Sequence, residues 1–163
     1  DLRESTRMYR EIGDAKAFGL VMRHFDVLKE SCDAYEGAVV KTIGDAVMAV
    51  FPRPAPALRA MLNAQSMLSE SGEGERSLRL RAGIHYGPCI AVTLNDRLDY
   101  FGSTVNLAAR LEKIASQTRR TIVASEGFAG ICRGGWSDLG EFPVAGFSKA
   151  ARVYGLADET SAM

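Results

Sequence analysis

The chain has 163 residues, of which 47% are hydrophobic and 25% are charged, as in a globular domain with a buried core. This composition excludes a disordered or fibrous protein. Basic and acidic residues both number 20, so no basic excess favours non-specific binding to nucleic acid, and any anionic ligand must be met by local groups.

Cysteine usage and hydropathy point to a cytoplasmic domain. Cys32, Cys89 and Cys132 lack CxxC spacing, which favours a reducing compartment and unpaired thiols. No stretch approaches the roughly 18 consecutive apolar residues of a membrane span, and no signal peptide is visible. Because the chain begins at Asp1 without a methionine, we expect a fragment of a longer protein, and membrane attachment upstream stays open.

The first part of the chain predicts two helices. Ser5 or Thr6 is expected to cap a short helix through Ile12, and Asp14 to cap a longer one. Apolar residues at helical spacing give the longer helix one core-facing side. Gly37 suits its end.

Two antiparallel strands are predicted within residues 38–51, joined by a tight turn at Gly44-Asp45. Taken alone, this dipeptide is most simply a turn, because Gly supplies a positive φ and Asp satisfies the turn backbone. Lys41, however, lies inside an otherwise apolar strand, and a buried ammonium is costly unless it meets an acceptor. A cation on one strand and a carboxylate at the tip therefore predict a polar ligand site.

The rest of the chain predicts shorter elements around one further long helix. In order, we expect a helix between the proline-rich residues 52–56 and the polar run 69–74, a second strand system over 78–85 and 89–94 with a bend at Gly87-Pro88, a loop or strand edge at 95–101, a helix opened by 102–104, a strand at 121–124, a short helix at 125–129, and a last hairpin of 139–144 and 152–156 around Gly146. Strands and helices alternate without parallel-sheet regularity. The pattern favours the α+β class, with a central sheet covered by helices on one side.

Several kinds of site are absent from the sequence. It contains no GxxxxGK[ST] loop, no GxGxxG and no HExxH, and both histidines, His24 and His85, are interpreted as structural. The remaining candidates are charged residues at turns, loops and strand ends: Asp1, Asp45, Asp99, Lys41, Arg81 and Arg110. Two carboxylates converging from separate strand ends suit Mg2+ or Mn2+, and two such ions can activate a hydroxyl and neutralise phosphate oxygens.

Four segments carry a family resemblance: residues 1–6 (DLREST), 41–51 (KTIGDAVMAVF), 81–87 (RAGIHYG) and 102–111 (GSTVNLAARL). Together and in this order they resemble the class III adenylate/guanylate cyclase catalytic domain. The resemblance implies one catalytic domain over residues 1–163 with a ferredoxin-like nucleotide-cyclase fold, whose central, mostly antiparallel sheet has helices packed on it. It also implies a first strand before Asp1, outside this sequence.

The resemblance assigns metal and purine roles. Asp1 and Asp45 match the two aspartates that hold two Mg2+ or Mn2+ ions, with the Leu2 carbonyl as a further ligand. Lys41 and Asp99 match the pair that selects adenine, in which Lys donates to N1 and Asp accepts from the exocyclic amine. Guanine presents a carbonyl and an N–H at those edges, and guanylyl members typically carry an acid in place of the lysine.

The remaining roles concern the phosphates. Asn106 and Arg110 match the transition-state pair, in which Asn orients the ribose and Arg offsets charge on the phosphate oxygens. Arg81 matches a triphosphate-binding arginine, and Ser5 and Thr6 offer backbone N–H groups to phosphate. Taken singly, Arg110 also suits a helix surface, Asn106 a local hydrogen bond and Arg81 an outward strand position.

Three positions depart from the family pattern. Glu4 stands where the family usually has Gly, which puts an acid and a side chain near the expected phosphates. Asp99 also fits the Arg-x-Asp-Tyr sequence that is common before the helix at 102–111, with two residues deleted. Ala145-Gly146 falls where Lys-Gly often supplies a phosphate-binding cation, and Lys149 is nearby.

The expected activity is therefore conversion of ATP to 3′,5′-cyclic AMP and pyrophosphate. Family members draw their metal residues from one subunit and their purine and transition-state residues from the other, so a homodimer with two equivalent sites is implied. An upstream regulatory domain is expected in the longer chain, and no nucleic-acid partner. The alternatives are a cyclase-like module that binds nucleotide without turnover, suggested by Glu4 and Ala145, and a guanylate cyclase.

Overall fold

A computed structural model describes residues 1–70 and 78–157. The chain divides into two compact units, Asp1–Leu80 and the residues from Arg81 onward. No helix in the described ranges is long and apolar enough to cross a membrane.

The described part of the first unit contains three helices and one hairpin. They are α1 (Ser5–Ile12), α2 (Asp14–Ala34), β1 (Ala38–Ile43), β2 (Ala46–Val50) and α3 (Pro54–Glu70). Helix α2 packs against α1, α3 and the hairpin, and its buried side chains include Val21, Val27 and Leu28. Ser31 donates a hydrogen bond of 2.6 Å to the Ala60 carbonyl of α3, so the two helices approach closely.

The predicted caps of α1 and α2 are wrong by one residue. Glu4, with φ 58°, is the N-cap of α1, and Gly13, with φ 84°, is the N-cap of α2. Ser5 and Asp14 are therefore the first helical residues and not the caps. Neither helix start has a side-chain capping hydrogen bond among the described residues. The capping rule fails here because both starts are set by a sharp backbone turn rather than by a side-chain acceptor.

The hairpin at residues 38–51 is confirmed. Its strands pair antiparallel, Ile43 lies opposite Ala46, and Gly44 has φ 60°, which favours glycine at this turn. The pairing register shifts between Val39 and Lys41. Lys41 is exposed, so the expectation of a buried ammonium is wrong, because β1 leaves this side chain in contact with solvent.

The second unit contains six strands and two helices within its described part. They are β3 (Ala82–Ile84), β4 (Ile90–Leu94), β5 (Arg97–Phe101), α4 (Ser103–Thr118), β6 (Ile122–Ser125), α5 (Glu126–Ile131), β7 (Trp136–Phe142) and β8 (Ala151–Leu156). Four strands form a sheet in the order β3-β6-β8-β7, while β4 and β5 form a separate hairpin. Helix α4 packs on β3 and β6, and its buried residues Leu111, Ile114 and Ala115 form the core with Val123 and Val153.

The α+β class with mostly antiparallel pairing is confirmed, and so is the last hairpin, now β7 and β8. One pair, β3 with β6, is parallel.

The prediction of one strand system over residues 78–85 and 89–94 is wrong, because β3 and β4 belong to different sheets. Residues 78–80 contribute only an isolated bridge from Leu80 to Leu2. The segment 95–101 is a true strand preceded by a turn in which Asn95 and Asp96 both have positive φ. Of the polar run at 69–74, α3 includes Ser69 and Glu70, and the rest lies outside the described residues.

Candidate active site

The backbone beside Asp1 is held by a short antiparallel bridge between Leu2 and Leu80. Leu2 is buried, and Asp1 is half-buried. The Leu80 N–H donates to the side-chain oxygen of Gln65 at 2.6 Å, so this donor does not occupy the Leu2 carbonyl. The Leu2 carbonyl oxygen, which is the predicted metal ligand, therefore accepts no hydrogen bond from the Leu80 N–H.

Asp45 lies half-buried in the turn between β1 and β2. The pKa of the Tyr9 phenol on α1 is raised, first by burial and then by the negative charges of Asp45 and Asp14. The Asp45 carboxylate is therefore within electrostatic reach of α1, one helical turn beyond Ser5. No sequence pattern indicates Tyr9, because this proximity depends on how α1 packs.

The donor set in the first unit fits a hard divalent cation. Two carboxylates, Asp1 and Asp45, and the Leu2 carbonyl are all oxygen donors, which Mg2+ and Mn2+ prefer. No group of three or more acidic, histidine or cysteine side chains in the described ranges is placed to hold a metal ion. A Mg2+ site commonly uses only one or two carboxylates and takes its other ligands from water and substrate phosphates.

Helix α1 begins shortly after Leu2 in the chain and presents first-turn amide groups at its N-terminus. The bond from the Met8 N–H to the Glu4 carbonyl, 3.0 Å long, closes the first turn, so the amides of Ser5 and Thr6 precede it. First-turn N–H groups have no intrahelical acceptor and attract anions. Glu4 is exposed and adopts the left-handed conformation, which suits the glycine of the family pattern better than glutamate.

The two residues of the predicted adenine pair lie in different units. Lys41 belongs to β1 in the first unit, and Asp99 belongs to β5 in the second. Asp99 is half-buried opposite Val92, and one of its carboxylate oxygens accepts a hydrogen bond of 2.8 Å from the Tyr100 N–H. The adenine pairing of these two side chains stays a prediction.

Asn106 and Arg110 lie one helical turn apart on α4, which begins after Gly102 at φ 127°. Asn106 is exposed and Arg110 is half-buried. The Arg110 Nε is buried and has no hydrogen-bond partner within the described part of the chain. A buried guanidinium nitrogen without a protein acceptor is costly, and an anionic ligand would satisfy it.

Arg81 precedes β3 and is half-buried, so its interpretation as an outward strand residue is wrong. It donates from Nη1 to the Ser116 hydroxyl near the end of α4. The contact joins residues 35 positions apart, which no local pattern predicts. The triphosphate role of Arg81 stays a prediction, and it requires the remaining guanidinium donors or an exchange of this contact.

Both histidines are accounted for by packing. His24 is fully buried in α2, and burial lowers its pKa to about 3. His85 follows β3, its Nδ1 lies 2.6 Å from the Ser125 Oγ, and burial lowers its pKa as well. Neither histidine belongs to a metal cluster in the described residues.

The connection between β7 and β8 contains the position where a phosphate-binding lysine was expected. Gly146 has φ 83°, and the Phe147 N–H donates to the Val144 carbonyl at 3.1 Å, so a turn forms here. Ala145 and Lys149 are both exposed.

Comparison with known proteins identifies the family. The chain matches the adenylate and guanylate cyclase catalytic domain over residues 1–146. It is 31% identical over 144 residues to an adenylate cyclase of Lachancea kluyveri, a match that covers 75% of this chain and 8% of that protein. Among solved structures, a bacterial light-regulated adenylyl cyclase superposes with a TM-score of 0.77 at 26% identity, covering 96% of this chain and 49% of the other.

A guanylate cyclase domain from Catenaria anguillulae has the same fold, with a TM-score of 0.77 over 96% of this chain and 92% of its own, at 20% identity. The chain spans 5% to 38% of the length of the curated relatives it matches. The chain therefore belongs to the adenylate and guanylate cyclase catalytic domain family, and its fold is that of a nucleotide cyclase.

Proposed function

We propose that this domain is an adenylate cyclase that converts ATP to 3′,5′-cyclic AMP and pyrophosphate by in-line attack of the ribose 3′-oxygen on the α-phosphorus. Asp1, Asp45 and the Leu2 carbonyl hold two Mg2+ or Mn2+ ions. When bound, such ions activate the hydroxyl and neutralise phosphate charge. The first-turn amides of α1, at Ser5 and Thr6, and the Arg81 guanidinium bind the triphosphate.

The observation that carries this proposal is the arrangement on α4. Asn106 and Arg110 are one turn apart, and the Arg110 Nε is buried with no acceptor among the described residues. In the transition state, Asn106 orients the ribose, and Arg110 offsets the charge that develops on the phosphate oxygens. A module that only binds nucleotide has little need for this pair.

The choice of ATP over GTP rests on Lys41 and Asp99. A lysine donates to N1 of adenine and an aspartate accepts from its amine, whereas guanine offers a donor and an acceptor in the reverse order. The curated relatives named adenylate cyclase support the same choice. Guanylate cyclase domains share the fold, which alone does not select a purine.

A homodimer with shared sites is the working form that we propose. The β4–β5 hairpin supports it, because Ile90, Val92 and Leu94 alternate along one face of β4. On the same face, β5 places Phe101, Asp99 and Arg97 opposite them. Ile90 is 65% exposed and Leu94 is 51% exposed. Exposed apolar side chains concentrated on one hairpin are typical of an interaction surface.

A second candidate function is a nucleotide-binding module without turnover. Two observations favour it: Glu4 places a carboxylate at the N-terminus of α1, and Ala145 stands where a cation was expected. A carboxylate beside an anion-binding helix end weakens phosphate binding.

The two functions are separated by product formation at high protein concentration in Mn2+, with ATP and GTP offered separately and Asp45→Ala as control. The proposal expects cyclic AMP from ATP alone, lost in the control, at a rate that rises faster than linearly with protein concentration. Binding of ATP without a cyclic product, from a protein shown to be dimeric, would establish the binding module instead.

A further inference from the structure

The segment from Gly83 to Gly87 packs against α4 at backbone distance. A Cβ on Gly83 would lie 2.2 Å from the Glu112 nitrogen and 2.6 Å from the Ala108 carbonyl oxygen. A Cβ on Gly87 would lie 2.6 Å from the Thr104 hydroxyl. The end of β3 and the loop after it therefore fix the position of α4 along two of its turns.

Beyond the backbone pairing of β3 with β6, whose register ends at Ile84, this segment is tied to the neighbouring strand by one side-chain hydrogen bond. The His85 Nδ1 lies 2.6 Å from the Ser125 Oγ. Ser125 is only 5% exposed, and the same oxygen accepts a hydrogen bond of 3.2 Å from the Phe128 N–H at the start of α5. Since Ser125 is held by both β6 and α5, it is a rigid anchor for His85.

One face of α4 packs against the Gly83 to Gly87 segment, and the opposite face carries Asn106 and Arg110. At about 100° of rotation per residue, Thr104 and Ala108 lie on one side of the helix, while Asn106 and Arg110 lie roughly opposite. The face that contacts the Gly83 to Gly87 segment is therefore turned away from the side chains proposed to act on substrate. A tilt or rotation of α4 at its contact face would displace Asn106 and Arg110 on the other.

We propose that His85 is a positioning residue for this cyclase: through its hydrogen bond to Ser125 it holds the Gly83 to Gly87 segment against α4, and so places Asn106 and Arg110. The inference rests on the proposed function and adds a residue to it. Among the described residues the hydrogen bond of His85 goes to Ser125 and not to Asn106 or Arg110. Removal of the His85 side chain should therefore reduce kcat. The KM for ATP should change little, because it also depends on Lys41 and on the metal residues of the first unit.

The test compares His85→Ala with His85→Asn, whose side-chain amide can reach Ser125 from nearly the place of Nδ1. Steady-state kcat and KM for ATP are measured together with hydrogen exchange of the α4 amides. We expect His85→Ala to lower kcat by about tenfold to a hundredfold. The KM should stay within about threefold, and exchange in the first turns of α4 should become about tenfold faster. In His85→Asn, both kcat and the exchange rates of the α4 amides should stay close to their wild-type values.

Three outcomes would overturn the proposal. The first is an unchanged kcat despite faster exchange in α4, and the second is unchanged exchange in α4. The third is a uniform loss of stability in His85→Ala, with no recovery of kcat in His85→Asn. If the wild-type protein makes no cyclic nucleotide, the proposed function fails and the catalytic role of His85 fails with it, but exchange of α4 still decides whether His85 holds the helix.

Discussion

Glu4 combines a left-handed backbone conformation, which disfavours glutamate, with a negative charge beside the proposed triphosphate site. Its φ of 58° is in the left-handed region, which costs an L-residue about 1 kcal/mol or more relative to glycine. Its carboxylate stands at the N-terminus of α1, where the proposed triphosphate site needs donors. We expect Glu4→Gly to raise the free energy of unfolding by about 1 kcal/mol in urea denaturation and to lower the KM for ATP.

Two further variants separate the two effects of Glu4. Glu4→Gln removes the charge and keeps the backbone strain, so it should lower the KM without raising stability, because a carboxylate at a helix N-terminus favours the helix. Arg119→Gly relieves a similar left-handed residue, φ 57°, at the end of α4, and should change stability alone. A KM that does not respond to Glu4→Gln would show that the charge does not oppose substrate binding.

His24 predicts a pH dependence of stability. Its native pKa is about 3 because of burial, whereas an exposed imidazole titrates near 6.5. Between these values the unfolded chain binds a proton that the native chain does not, so stability is fully present above pH 6.5 and is lost as the pH falls. The expected slope is about 1.4 kcal/mol per pH unit, measured by urea denaturation between pH 7.5 and pH 4.5.

His24→Leu is the matched control for this slope. Neither ring nitrogen of His24 has a hydrogen-bond partner in the described part of the chain, so an apolar residue of similar size should keep or increase stability at pH 7.5. Carboxylates that titrate in both proteins cancel in the difference. Equal slopes in the wild type and the variant would contradict a buried neutral His24.

At the scale of elements, the contact between β3 and α4 permits no side chain at Gly83. Gly83→Ala would bring a methyl group to 2.2 Å from the α4 backbone, so we expect a loss of about 3 kcal/mol or more, because neither element can move aside. Gly19→Ala in α2 is the control: no described atom lies within 4 Å of that Cβ, and the change should stabilise the helix by about 1 kcal/mol. Thermal unfolding of both variants gives the comparison, and a Gly83→Ala protein as stable as the wild type would contradict this packing.

The elements that could be predicted from the sequence are those specified locally. The hairpin at 38–51 follows from apolar strands around Gly44-Asp45, and α4 follows from helical periodicity after Gly102. The pairing of β3 was not predicted, because its partner β6 lies about 40 residues later and a three-residue strand has no periodicity to indicate a partner. The bond from His85 to Ser125 and the contact of Arg81 with Ser116 were missed for the same reason.

At the scale of the whole molecule, the candidate site residues are distributed over both compact units. Asp1 and Asp45 belong to the first unit, while Asn106 and Arg110 belong to the second. The motifs were found from sequence because each is short and continuous, but how they assemble depends on tertiary and quaternary contacts that no motif encodes. If two copies of the chain share each site, one copy supplies the metal residues and the other the transition-state pair.

The most direct measurement mixes two inactive variants, Asp45→Ala and Arg110→Ala, and assays cyclic AMP production from ATP in Mn2+. In a mixed dimer one of the two sites has both mutations and the other has neither. At equal amounts with random exchange, we expect about one quarter of wild-type activity, although each variant alone is inactive. A mixture as inactive as its components, in which mixed dimers are shown to form, would contradict a site shared between subunits.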